Sequence, residues 1–141
     1  FIMSADGQKI IGEEGYISVA DGEAYAASGL SGKLVLAGST SVAPVMEVLA
    51  DAYKALNPDV TIEIQQTGSG SGITSAIEGV CDFGMSSREL KDSEKAELTS
   101  TQIAMDGIAV VVNNANTVED LSSETIKGIY LGEITDWADA Q

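Results

Sequence analysis

The sequence predicts an α/β fold, a mainly parallel sheet with flanking helices, on three observations. A strand, a loop and a helix follow one another three times from Lys33 onward. The strands are short apolar runs, and the helices carry apolar residues at three- and four-residue steps. Each strand-to-helix loop is small and rich in Gly and Ser. In such a sheet the crossovers are right-handed and ligands bind beyond the carboxyl ends of the strands. All three loops fall at that edge.

Residues 1–19 form a first unit. Ser4 is placed to cap a helix, Ile10 and Ile11 supply its apolar face, and Gly15 stops it. Tyr16-Ile17-Ser18-Val19 alternates weakly and reads as a short strand. Residues 20–32 are small, Gly/Ser/Ala-rich and weakly patterned, which predicts a linker. Lys33-Leu34-Val35-Leu36-Ala37 is a compact apolar strand ended by Gly38. Val42, Val45, Met46, Leu49, Tyr53 and Leu56 then mark one face of a helix, and Asn57-Pro58-Asp59 is a turn. Pro44 is tolerated in the first turn because no intrahelical acceptor is needed there. Val60, Ile62 and Ile64 alternate with Thr61 and Glu63, giving a strand to about Gln66. A short helix spans Ile73 to Glu78 and closes at Gly79. A third strand is expected over Val80–Met85, a charged helix over Asp92–Leu98, and a strongly buried strand over Ile108–Val112. Ser122 or Ser123 caps a helix with Ile126, Ile129 and Tyr130 inward, and Ile134-Thr135-Asp136-Trp137 follows.

At 141 residues the chain is long enough for one domain with a proper core, and 44% hydrophobic with 21% charged residues is ordinary for a globular protein. The net charge of −15 argues against nucleic acid or an anionic membrane as partner, and 5% aromatics offer no stacking platform. The sequence has no His, which removes the commonest general base and metal ligand. Cys81, the single cysteine, reads as a small core residue. No apolar run is long enough to span a bilayer. The opening Phe1-Ile2-Met3 has no charged leader, so no signal peptide is expected within the chain.

The loops carry the chemistry. The first is Gly38-Ser39-Thr40-Ser41, the second Gly68-Ser69-Gly70-Ser71-Gly72, the third Gly84-Met85-Ser86-Ser87-Arg88. Each precedes a helix, whose N-terminus offers unpaired N–H groups and the positive end of a dipole. Ordinary hydroxyl capping would account for one such loop. Three of them, with the chain's only arginine at the third, point to a bound oxyanion. The candidate ligands are Ser39, Thr40, Ser41, Ser69, Gly70, Ser71, Ser87 and Arg88. Competing motifs fail on spacing. Gly68-x-Gly70-x-Gly72 lacks the dinucleotide pattern, and no Gly-Lys-Ser/Thr follows a Gly-rich loop. Serine nucleophile chemistry lacks a His, and no Ser-x-x-Lys occurs at these loops. Asp51, Asp59, Asp82 and Asp106 are scattered and read as solvated acidic positions, so no metal site and no cofactor are expected.

At these residues the sequence resembles the phosphate-binding proteins of bacterial ABC phosphate transporters, which are two-lobed periplasmic-type binding proteins. The matching stretches are Gly38–Pro44, Gly68–Gly72, Asp82–Leu90 and Met105–Asn113, with Ile126-x-x-Ile129-Tyr130-x-Gly132-x-Ile134-x-x-Trp137 similar as well. The resemblance covers roughly residues 33–137. It implies lobe one of a type II periplasmic binding protein, with Thr40 and Ser41 at the first anion-binding turn and Ser69 at the second. Ser87 falls where some members carry an Asp that accepts the proton of hydrogen phosphate; a Ser oxygen also accepts. The second lobe's binding loop would come after Trp137.

Residues 1–19 look like the family's C-terminal end, which returns to the first lobe. Two accounts fit: a chain straddling two tandem copies, or a permuted lobe joined by 20–32. In either, 1–19 completes lobe one, 33–112 is its α/β core, and 113–141 opens an incomplete lobe two. The function the resemblance implies is capture of inorganic phosphate for a membrane permease, without catalysis. Its setting is the periplasm or the outer face of the cell membrane, with a lipid anchor in the parent protein. Lobe two of the parent would supply the rest of the site. A phosphate-handling enzyme or a non-binding scaffold lobe stand as alternatives.

Overall fold

The computed structural model describes residues 1–140. It divides into two compact units, Phe1–Gly107 and a second from Ile108 onward. The first unit thus takes in residues 1–32 together with the sheet.

Three parallel strands form the centre of the first unit, in the order β2-β1-β3. β1 (Gly32–Gly38) pairs with β2 (Val60–Gln66) along its whole length, from Gly32 opposite Val60 to Gly38 opposite Gln66. Only its last three residues, Leu36–Gly38, pair with β3 (Phe83–Met85). The third strand is therefore shorter than the expected Val80–Met85. The N–H groups of Val80 and Cys81 donate to the Ser75 carbonyl, so these residues finish the preceding helix before the chain enters the sheet. Asp82 then extends the ladder: its N–H donates to the Val35 carbonyl, and its Oδ2 accepts from the Val35 N–H at 2.8 Å. Asp82 is exposed, as expected of a solvated acid, and its carboxylate serves the sheet edge as well.

α2 (Ala43–Leu56) follows the predicted face, burying Ala43, Val45, Met46, Leu49 and Ala50, with Pro44 in its first turn. α1 (Ala5–Glu13) begins at Ser4, whose hydroxyl accepts from the Gly7 N–H. It buries Ile11 completely in the same core as Leu36, Val45, Leu49 and Met85. Full burial of a side chain of this kind stabilises the fold by about 1.5–3 kcal/mol. The expected strand at Tyr16–Val19 reduces to one antiparallel bridge between Ile17 and Met105.

The predicted linker has no regular secondary structure, yet it is tied down. The Glu23 carbonyl accepts from the Ala5 N–H, and Asp6 Oδ2 accepts from the Tyr25 N–H at 2.7 Å. The Tyr25 ring packs edge-on against Phe1 and tilts against Tyr53.

α3 (Ser69–Ile77) follows β2. The charged helix is a single turn, α4 (Asp92–Lys95), rather than Asp92–Leu98. It buries no residue, and a helix without a buried face has little to extend it. In the second unit, α5 (Ser123–Leu131) starts at Ser122, whose Oγ accepts from the Thr125 N–H, and ends at the left-handed Gly132. A 3-10 turn covers Trp137–Ala140. The expected buried strand at Ile108–Val112 does not form: Ile108 is 96% and Val111 86% exposed, with no strand partner among the described residues.

Candidate functional site

The parallel register brings Gly38, Gln66 and Met85 to the same edge of the sheet. The loops that leave these strands are joined by backbone hydrogen bonds. The Gly38 carbonyl accepts from both Thr67 and Gly68, at 2.9 and 2.8 Å, and the Ser39 N–H donates to the Met85 carbonyl at 2.9 Å. Gly38 has φ +144°, and a Cβ there would run into the Met85 carbonyl, so the loops can approach this closely only around a glycine.

Ser39 is buried at 2% exposure, while Thr40 and Ser41 are exposed. The Ser39 and Ser41 hydroxyls lie 3.0 Å apart. Ser69 and Ser87 form a second pair, with hydroxyls 3.2 Å apart, and the Ser87 N–H donates to Ser69 Oγ. Ser71 and Gly70 occupy the exposed first turn of α3. The structure thus gathers seven of the eight expected residues into two hydroxyl pairs and the backbone between them. No direct hydrogen bond joins the two pairs among the described residues.

The hydroxyls do not cap the helices, contrary to the ordinary expectation for such loops. The N-cap of α2 is Val42 and that of α3 is Gly68, and neither start has a side-chain cap. The N–H groups of Thr40, Ser41 and Val42, and of Ser69, Gly70 and Ser71, have no acceptor among the described residues. Serines here bond to one another instead. The donors stay available to an anion, at the positive end of two helix dipoles.

Arg88, the eighth residue, follows a tight turn in which Ser86 Oγ donates to the Arg88 carbonyl at 2.7 Å and accepts from its N–H. Its guanidinium is held by Glu94. Nη1 donates to Glu94 Oε2 at 2.9 Å, Nη2 to Oε1 at 2.8 Å, and Nη1 also to the Glu89 carbonyl. Glu94 Oε2 further accepts from the Lys91 N–H at 2.7 Å, the carboxylate half of a capping box at the start of α4. The Arg88 bonds, followed by the Lys91 N–H, lower the Glu94 carboxyl to about 2, and hydrogen bonding to Glu94 raises Arg88 above its ordinary value. Sequence reasoning missed this pair. The signal was an acid three residues after Lys91, at N3 of the helix that follows the loop.

Among the described residues no cluster of three or more His, Cys, Asp or Glu side chains could hold a metal ion. No described helix is long and apolar enough to cross a membrane. A cleft of ≈ 320 Å³ in the second unit is lined mainly by apolar side chains, among them Leu121, Ile126, Ile129 and Trp137, and by none of the expected ligands.

Comparison with known proteins places these features in context. Residues 23–141 match the family described as a PBP superfamily domain. A phosphate-binding protein, PstS 2, of Streptococcus agalactiae is 50% identical over 140 residues, which are 99% of this chain and 48% of that protein. The PstS 2 of Streptococcus pneumoniae is 45% identical, over 97% of this chain and 47% of its own length. The chain therefore spans about half the length of these curated relatives. Among solved structures, the phosphate-binding protein of a phosphate ABC transporter from Streptococcus pneumoniae superposes with a TM-score of 0.92 at 43% identity. That match covers 99% of this chain and 55% of the other. A putative phosphate ABC transporter substrate-binding protein with bound phosphate, from Clostridium perfringens, gives a TM-score of 0.61 at 50% identity. It covers 77% of this chain and 45% of its own.

Proposed function

The chain belongs to the PBP superfamily, and from that membership we propose that it captures inorganic phosphate as one lobe of an ABC transporter's substrate-binding protein. The observation that carries this reading is the sheet edge itself. Six unpaired N–H groups and four paired serine hydroxyls are drawn together by the Gly38 and Met85 carbonyls. A tetrahedral oxyanion loses water on binding and needs that many donors in return. Ser39, Thr40, Ser41, Ser69, Gly70, Ser71 and Ser87 are the proposed ligands, with Arg88 as the cationic member.

The reaction is binding and release, with no bond made or broken. The proposed partner is a membrane permease, and the proposed setting is the periplasm or the outer face of the membrane, with a lipid anchor in the parent protein. In this reading residues 1–19 and 33–112 make up lobe one, and 113–141 open lobe two. One wall of the site binds weakly, with a Kd above about 1 μM, less than about 8 kcal/mol of binding free energy. Phosphate titration followed by amide NMR tests this. Shifts at Thr40–Val42 and Ser69–Ser71 in the millimolar range are expected. Unmoved loops would overturn phosphate capture, and sub-micromolar affinity would overturn the half-site reading.

A further inference from the structure

The guanidinium of Arg88 has two donor edges, each with a pair of parallel N–H bonds: the Nη1–Nη2 end, and the side formed by Nε and the outer hydrogen of Nη2. Glu94 occupies the first edge with both carboxylate oxygens, and Nη1 spends its remaining hydrogen on the Glu89 carbonyl. The second edge, Nε–H with one Nη2–H, has no acceptor among the described residues. It belongs to the residue directly after Ser87, which is bonded to Ser69 at the start of α3.

We propose that Glu94 is a positioning residue for anion capture: it locks the end of the Arg88 guanidinium so that the Nε–Nη2 side is presented as a second, bidentate fork for the oxyanion. This rests on the phosphate reading above. A long, flexible side chain loses rotamer freedom when it engages a ligand. Glu94 removes that freedom beforehand, and it is itself fixed, with a side chain only 15% exposed and one oxygen held by the Lys91 N–H. Its carboxylate also neutralises the cation, so the fork selects by geometry rather than by net charge.

Because Arg88 is the only arginine, its Nε–H gives a single unambiguous signal in a nitrogen-edited NMR spectrum of the intact chain. Inorganic phosphate is expected to shift that signal together with the Ser69–Ser71 amides. In Glu94→Ala the amide shifts remain, the Nε–H shift disappears and phosphate binds about tenfold more weakly. Glu94→Gln keeps an oxygen for the Lys91 N–H, hence the α4 cap, but turns an NH2 group toward a guanidinium donor. It is expected to lose much of the Nε–H response as well. Glu94→Gln titrating like the parent chain would reduce Glu94 to a helix cap and overturn the inference. Loop amides that move while the parent's Nε–H stays still would overturn it and leave phosphate capture standing. If neither moves, both readings fall.

Discussion

Gln8 holds several stretches of chain at one point. It is 4% exposed, and its Nε2 donates to the Ile2 and Ile103 carbonyls, each at 3.0 Å. Its Oε1 accepts from Ser18 Oγ and from the N–H groups of Val19 and Ala20. Gln8→Ala would strand several buried polar groups and is expected to cost about 1–3 kcal/mol in urea unfolding. The anchoring of residues 1–20 on the sheet should loosen with it. Glu94 gives a pH-dependent test at the same scale. Its folded value, about 2, lies below the ordinary carboxylate value of about 4.3. A depressed carboxylate contributes stability above its unfolded value and loses it as pH falls through the folded one. Glu63, lowered by its hydrogen bond to Lys33, acts in the same direction. The stability gap between the parent chain and Glu94→Gln should be full at neutral pH and close between about pH 5 and pH 2. An unchanged gap at the acid end would show that the Arg88 pair contributes nothing to folding. Gln8 did not stand out in the sequence because one of its partners, Ile103, lies 95 residues away, whereas Glu94 lies only three residues after Lys91 and six after Arg88, so its signal was local and went unread.

At the scale of elements, α3 sits on the sheet through Gly72, where a Cβ would collide with the Ala37 carbonyl and with Gly38. Gly72→Ala is expected to cost about 1–3 kcal/mol of strain. It should also displace the first turn of α3, so that phosphate-induced shifts at Ser69–Ser71 shrink more than those at Thr40–Val42. Equal shrinkage would place the damage in the fold as a whole. α2 was legible because its three- and four-residue period matches its buried face, and β1 and β2 because they are short apolar or β-branched runs between turn signals that alternate with helices. The serine loops were legible as anion-binding candidates, though not their pairing: one hydroxyl pair forms within the first loop, and the other joins the second loop to the third. Ile108–Val112 misled for a physical reason. An apolar β-branched run states a need for burial, and no strand among the described residues meets it.

For the whole molecule, the feature with the widest reach is the pair of helix starts that keep their N–H groups unspent. These donors are dipoles, and their pull fades within about one helical turn. The chain around them carries a net charge of −15. On the phosphate reading, an incoming anion would be repelled over a distance and held only on arrival. Surface repulsion is screened over about 8 Å at physiological ionic strength and reaches several times further in dilute buffer. Added inert salt should thus speed capture and tighten the apparent affinity, opposite to a site built from a basic patch. Stopped-flow or titration at two ionic strengths measures this, and weaker binding in higher salt would mean that the cation at Arg88 governs the approach. On the phosphate reading proposed above, distant charge is muted wherever salt is plentiful, and contact geometry alone is then left to discriminate between anions.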